Sequence, residues 1–188
     1  MAVRVLRGQE IAITKNNPGI KKIRVKLGWD FHSVKNKSLD LDSSLFLCNN
    51  KGVALSSKHF IFYNNLEDPY GAVFHLGDCK TGRDGEEEII IELHKFPAEV
   101  EKIVFAASIY DGEKNNNYFG QVQCSYLKII DDSTQEEMMR FDLKESFSSE
   151  TAIILGHMYR DGEEWFFKTD GRGFKDGLRG IVLHHGLI

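Results

Sequence analysis

The sequence predicts an all-β fold, an antiparallel β-sandwich or barrel with short helical turns and a short C-terminal helix. Three observations carry the prediction. Apolar residues recur with a period of two, or as short unbroken runs, in roughly ten segments. Turn residues punctuate these segments about every 8–12 residues. Sustained apolar spacing at three and four residues is almost absent, and no repeat of fixed period is found.

Taken in order, Ile23-Arg24-Val25-Lys26-Leu27 alternates apolar and basic residues, as a half-buried strand does, and runs into Gly28-Trp29-Asp30. Phe31 to Ser38 is polar and loop-like. Leu39-Asp40-Leu41-Asp42 alternates again and continues into Leu45-Phe46-Leu47. Asp40 and Asp42 therefore project from one face of a strand entrance, with Leu41 opposite. Asn49-Asn50-Lys51-Gly52 is a turn, His59 to Tyr63 a short aromatic strand, and Asn64 to Gly71 a loop. Ala72-Val73-Phe74-His75 leads into an acidic segment, Gly77 to Glu88, from which a strand runs on to Leu93. Phe96 to Val100 has room for one helical turn.

Ile103 to Tyr110 is nearly all apolar, which predicts a central strand buried on both faces. Asp111-Gly112 and Asn115-Asn116-Asn117 form the loop after it. Gln121 to Ile130 alternates as a strand, Asp131 to Thr134 is a turn, and Arg140-Phe141-Asp142-Leu143 makes the following segment a strand. Ala152 to Arg160 and Trp165 to Lys168 form a hairpin through Asp161-Gly162. Gly171-Arg172-Gly173 reads as a tight turn, and Phe174 to Leu187 holds the C-terminal helix.

The 188 residues suffice for one substantial core, so a single domain over 1–188 is expected. A net charge of −4 disfavours a nucleic-acid partner. Cys48, Cys79 and Cys124 are widely spaced, with no C-x-x-C pair, which points to a reduced, cytoplasmic protein. Met1 to Arg7 lacks the apolar region of a secretory signal, and no stretch approaches the length of a membrane span.

The acidic segment concentrates the chemistry. Between Gly77 and Glu88 lie five carboxylates (Asp78, Asp84, Glu86, Glu87, Glu88), two cations and three glycines. Carboxylates this close repel one another unless screened. Two readings follow: a solvated acidic turn, or a site for a hard divalent cation. Asp30, Asp40 and Asp42 also lie at strand ends, and loops of a sandwich meet at an edge. Together the three acidic segments can supply the 6–8 oxygens that Ca²⁺ takes. Alternation puts Glu86 and Glu88 on one face and ranks them above Glu87 as ligands. Thr81 and Cys79 offer carbonyl oxygens, and a thiolate ligand is disfavoured in so hard a site.

Other chemistries find little support. His32, His59, His75, His94, His157, His184 and His185 show no zinc spacing and are expected to be structural or exposed. No G-x-S-x-G elbow or P-loop occurs, and no nucleophile with an orienting partner is named by the sequence, so an enzyme is not expected.

The sequence resembles the TerD family of bacterial tellurite-resistance and general-stress proteins from about Leu27 to Gly180. The resemblance is carried by Leu27-Gly28-Trp29-Asp30, Leu39-Asp40-Leu41-Asp42-Ser43-Ser44, Phe60-Ile61-Phe62-Tyr63-Asn64, the Gly-Asp-x-x-Thr-Gly opening of the acidic segment, Lys102-Ile103-Val104-Phe105, Phe119-Gly120-Gln121-Val122 and Glu150-Thr151-Ala152. It implies a calcium-binding β-sandwich, with Asp78 and the Glu86-Glu87-Glu88 triplet as ligands and Asp30, Asp40 and Asp42 completing the site. Relative to the family pattern the segment is one residue shorter, with Cys79 where Asn is usual and Arg83 within it. The implied function is a non-enzymatic stress-response protein in which Ca²⁺ orders edge loops that engage protein partners of a stress-response complex, membrane-associated ones among them. The alternative is a calcium-independent protein- or membrane-interaction module.

Overall fold

The computed structural model describes residues 2–30, 39–77, 86–143 and 147–188, without the side chains of Asp30, Gln123 and Cys124. Among the described residues the chain forms twelve strands: β1 Val3–Val5, β2 Glu10–Ala12, β3 Lys22–Asp30, β4 Leu41–Cys48, β5 Phe60–Ile61, β6 Val73–His75, β7 Glu86–Glu92, β8 Lys102–Ile109, β9 Gln123–Asp131, β10 Glu137–Asp142, β11 Ala152–Asp161 and β12 Glu164–Phe174. Two short helices, α1 Gly112–Asn115 and α2 Gly177–His184, complete the set with three turns of 3₁₀ helix.

The strands build two six-stranded sheets, β1-β10-β9-β3-β7-β6 and β2-β12-β11-β8-β4-β5. The pairings are antiparallel except β1 with β10. Period-two burial explains the packing. Ile23, Val25 and Leu27 of β3 and Ile89 and Ile91 of β7 face Leu45 and Leu47 of β4, Phe105 of β8 and Phe167 of β12 in one inter-sheet core. Each such side chain contributes about 1.5–3 kcal/mol on burial. Strand β8 is apolar on both faces because its outer residues, Val104 and Ala106, lie in a second core. There Phe46 and Ile154 pack with Ile181, Leu178 and Val182 of α2. The expected central strand and C-terminal helix are thus one arrangement.

The structure departs from the sequence expectations in five places. β1 and β2 were not foreseen, being only three residues each. The aromatic strand shrinks to Phe60–Ile61, preceded by a 3₁₀ turn at Ser57–His59. The helical turn expected at 96–100 is absent; the 3₁₀ turn is Leu93–Lys95, ahead of Pro97. Residues 112–115 are a short helix rather than loop, bounded by Asp111 and Asn116 in left-handed conformations. Gly171 lies inside β12, not in a turn: at φ +87° it takes up the register shift opposite Ile154 and Gly156, as a β-bulge requires. The Phe31 to Ser38 loop lies outside the described residues. No helix among the described residues is long and apolar enough to cross a membrane.

Candidate functional site

The acidic segment joins β6 to β7, an antiparallel pair in which His75 opposes Ile89. Asp68 sets up β6: its Oδ1 accepts from the backbone N–H of Ala72 at 2.7 Å and of Val73 at 2.6 Å. The Leu76 N–H donates to the Glu88 carbonyl at 2.9 Å. Gly77, at φ +96°, then turns the chain out of the pairing, in a conformation that glycine adopts without strain. Asp78, Cys79, Thr81 and Asp84 lie outside the described residues, as does the Asp30 side chain at the end of β3.

On β7 the glutamates part company. Glu86 and Glu88 face outward, where the antiparallel register lays Gly28 beside Glu86 and Lys26 beside Glu88. Lys26 Nζ sits 3.0 Å from Glu86 Oε2 and 2.8 Å from Glu88 Oε1. Arg24 bridges Glu88 and Asp132, the latter at 2.8 Å. Tyr126 lies flat across Gly28, where an added Cβ would come within 2.1 Å of its ring. Its hydroxyl donates to Glu86 Oε1 at 2.6 Å. Lys128 and Arg140 cover the same ring at 4.5 and 4.0 Å from its centroid. Burial pushes the Glu86 and Glu88 carboxyls up, but the hydrogen bonds and cationic neighbours outweigh it and hold both below the ordinary value. The bond to Glu88 heads the causes that raise Lys26. These two carboxylates are neutralised by the protein's own cations.

Glu87 points the other way, into the space between the sheets, and is only 2% exposed. Its Oε2 accepts from the Ser43 N–H at 2.5 Å. That N–H lies outside the ladder because β5 is only two residues long and pairs with Leu45 and Phe46. His75, 4% exposed, reaches the same serine: its Nε2 lies 3.0 Å from Ser43 Oγ and 3.7 Å from Glu87 Oε2. His75 Nδ1 accepts from the Gly77 N–H at 3.0 Å, so the geometry assigns the proton to Nε2. Both ends of the acidic segment are tied to one residue of the opposite sheet.

Asp42, next to Ser43, projects to the opposite face of β4 and is 7% exposed. Burial and then the Asp42, Tyr110 and Asp111 neighbours push the Tyr63 hydroxyl up, which gathers these groups at one sheet edge. Asp40 is exposed, and its carbonyl accepts from the Tyr110 N–H at 2.9 Å. Of the sequence-named acids among the described residues, Glu87 meets Ser43 from between the sheets, Asp42 lies on the other face of β4 with exposed Asp40 two residues before it, and Glu86 and Glu88 face outward on β7. Among the described residues no group of three or more His, Cys, Asp or Glu is arranged to hold a metal ion. The donor chemistry of Asp40, Asp42, Glu87 and the intervening segment, carboxylate and carbonyl oxygen, fits a hard divalent cation. Glu86 and Glu88, already paired, fit one poorly.

Sequence reasoning passed over Ser43, His75 and Tyr126. The signal for Tyr126 was Gly28 inside a strand, which marks a close approach. His75 was expected to be structural or exposed; it is buried and fully engaged. A second polar chain links Ser56 Oγ to His59 Nδ1 at 2.8 Å, His59 Nε2 to the Tyr70 hydroxyl at 3.0 Å, and that hydroxyl to Glu99 at 2.5 Å. Burial, then the bond to Glu99, pushes Tyr70 up to about 12. Ser56 also caps the 3₁₀ turn by accepting from the Lys58 N–H. The chain ties the entrance of β5 to the turn ahead of β6.

This two-sheet architecture, with an acidic hairpin rooted at Ser43, coincides with a match of the TerD domain profile to residues 1–185. The chain belongs to the TerD domain family. General stress protein 16U of Bacillus subtilis (strain 168) is 42% identical over 190 residues, covering 100% of this chain and 98% of that protein. Tellurium resistance protein TerD of Serratia marcescens is 38% identical over 189 residues, again covering 100% and 98%. The fold is shared with the crystal structure of a homologue of telluride resistance protein (TerD) from Streptomyces coelicolor A3(2), with a TM-score of 0.69 over 87% of this chain and 96% of that one, at 17% identity.

Proposed function

We propose that this TerD-domain chain is a non-enzymatic, calcium-binding protein of the stress and tellurite-resistance response, acting in the cytoplasm through protein partners. The observation that carries the reading is the fastening of buried Glu87, at the returning end of the acidic segment, to the backbone N–H of Ser43, the residue that follows Asp42. Full-length similarity to a general stress protein and to tellurium resistance proteins supports the cellular role. Asp78, Asp84 and Glu87, with Asp30, Asp40 and Asp42, would hold the ion, and the carbonyls of Cys79 and Thr81 would add oxygens. Bound Ca²⁺ supplies positive charge to a carboxylate cluster and orders the edge that a partner reads. Arg83, within the segment, lowers its net negative charge and weakens the affinity.

Calorimetry on chelator-stripped protein tests this. Heat of Ca²⁺ binding is expected at or below millimolar ion, and its absence there would sink the proposal. The double substitution Asp78→Asn with Glu87→Gln is expected to abolish calcium-dependent thermal stabilisation, which amounts to about 2.7 kcal/mol at a hundredfold excess over Kd. Glu88→Gln is expected to retain it.

A second reading, a calcium-independent interaction module, draws on apolar side chains exposed at the same edge: Leu66, Leu76, Tyr63 and Tyr110 are 40–54% exposed. It predicts partner binding indifferent to chelator, whereas the calcium reading predicts binding lost in EDTA.

A further inference from the structure

We propose that Ser56 is a covalent modification site: its hydroxyl, with His59 as the base, takes an acyl group from a thioester or activated ester. The proposal goes beyond the calcium reading and stands independently of it.

The polar chain from Ser56 to Glu99 has the order of a nucleophile, a base and an orienting group. Tyr70 donates its hydroxyl proton to Glu99 at 2.5 Å, so the Tyr70 oxygen is left to accept from His59 Nε2 at 3.0 Å. The imidazole proton is thereby held on Nε2, and Nδ1 presents its lone pair to Ser56 Oγ at 2.8 Å. The backbone fixes both arms. The His59 N–H closes on the Ser56 carbonyl at 3.0 Å, and the Asn65 side chain holds the Phe60 carbonyl at 2.7 Å. Asp68 Oδ2 accepts from the Tyr70 N–H at 3.0 Å. The His59 and Tyr70 rings pack with centroids 5.2 Å apart. Ser56, His59 and Tyr70 are half-buried, with exposed Ser57 and Lys58 between serine and base, so the group is both ordered and open to a dissolved reagent. Burial lowers the His59 imidazole below its ordinary value, against the opposing carboxylates of Asp68 and Glu99, which keeps it a neutral base at pH 7.

In the step itself Ser56 Oγ attacks the acyl carbon and its proton passes to His59 Nδ1. The Oγ–C bond forms, and the bond from that carbon to the leaving sulfur or oxygen breaks with its electron pair. The imidazolium returns the proton to the leaving thiolate, or to water when the leaving group is a stable anion. The Lys58 N–H, which donates to Ser56 Oγ at 3.3 Å, steadies the oxygen as negative charge gathers on it. The Tyr70–Glu99 arm supports the transient imidazolium. The outcome is one acyl group on one serine, not turnover.

The full chain treated with p-nitrophenyl acetate tests this, with the adduct placed and timed by peptide mass spectrometry. An acetyl group on Ser56 is expected, at a rate that rises with pH through a midpoint below 6.5. His59→Gln is expected to slow it roughly a hundredfold, the low end of what a general base supplies. Ser56→Ala is expected to abolish it, and Ser57→Ala to leave it unchanged. Glu99→Gln keeps an acceptor for Tyr70 but removes a charge that favours the imidazolium, so the midpoint should move lower still, a shift that loss of packing alone would not produce. Melting curves for each variant separate lost chemistry from lost fold. Adducts confined to lysine amines, or Ser57 labelled as fast as Ser56, would overturn the proposal. So would a folded His59→Gln chain acetylated at the parent rate, or, if that variant does not fold, a midpoint unmoved in Glu99→Gln.

Discussion

The two faces of β7 place the same residue type in opposite circumstances. Glu86 and Glu88 lie in a half-buried lattice of Arg24, Lys26, Lys128 and Asp132 on the outer face of their sheet. Glu87, between them, lies in the inter-sheet space beside Ser43 and His75. Outside, charge is met by flexible, partly hydrated cations, so each contact is individually weak and sensitive to salt. Inside, it is met by a backbone N–H and a buried imidazole, where a lost partner leaves a desolvated polar group behind. The comparison teaches that an acidic run is not one feature. The pleat divides it into a surface lattice and a buried tether, and only the tether communicates with the other sheet.

Breaking the inner face has the largest expected effect. Glu87→Ala orphans the Ser43 N–H and opens a cavity, and is expected to cost about 2–4 kcal/mol in urea unfolding. A loss below about 1 kcal/mol would show that the inward contact carries no more than a surface pair. On the outer face, Gly28→Ala drives a Cβ into the Tyr126 ring and displaces its hydroxyl from Glu86. A loss of about 1–3 kcal/mol is expected, the usual range for overpacking, and Tyr126→Ala in the same background should relieve the strain. The smallest effect is expected for Glu88→Ala: about 1 kcal/mol or less, shrinking as salt is raised.

The outer face also has a pH signature. The Glu86 and Glu88 carboxyls are held below 4.5 in the fold, so they bind fewer protons there than in the unfolded chain. Their contribution is complete above pH 4.5 and is lost as pH falls through their lowered folded values. The double variant Glu86→Gln with Glu88→Gln should flatten the acid limb of stability, measured by denaturant unfolding from neutral pH downward. An unaltered acid limb would remove the lattice from the account.

Much of this was legible from local pattern. The β3 alternation and the opposite facing of Glu87 relative to its neighbours follow from a period of two, the burial of β8 on both faces from its unbroken apolar run, and the β11–β12 hairpin from the turn chemistry of Asp161-Gly162. Less legible were the short strands β1 and β2, whose three residues cannot establish a period. Gly171 misled for a related reason: glycine marks turns and bulges alike, and only the pairing partner distinguishes them.

The sequence by itself determined the sandwich architecture, the family and the concentration of acids between Gly77 and Glu88. What only the tertiary structure decided is which acids stand together. Ser43 meets His75 across 32 positions and Glu87 across 44, and those residues lie in different sheets. The inward or outward sense of a side chain is local chemistry, set by the pleat. The strand that an inward side chain meets depends on how two sheets close over a common core, and short β5 leaves the Ser43 N–H open to it. Lys26 falls beside Glu86 and Glu88 for the same reason, through a strand register that no single segment contains.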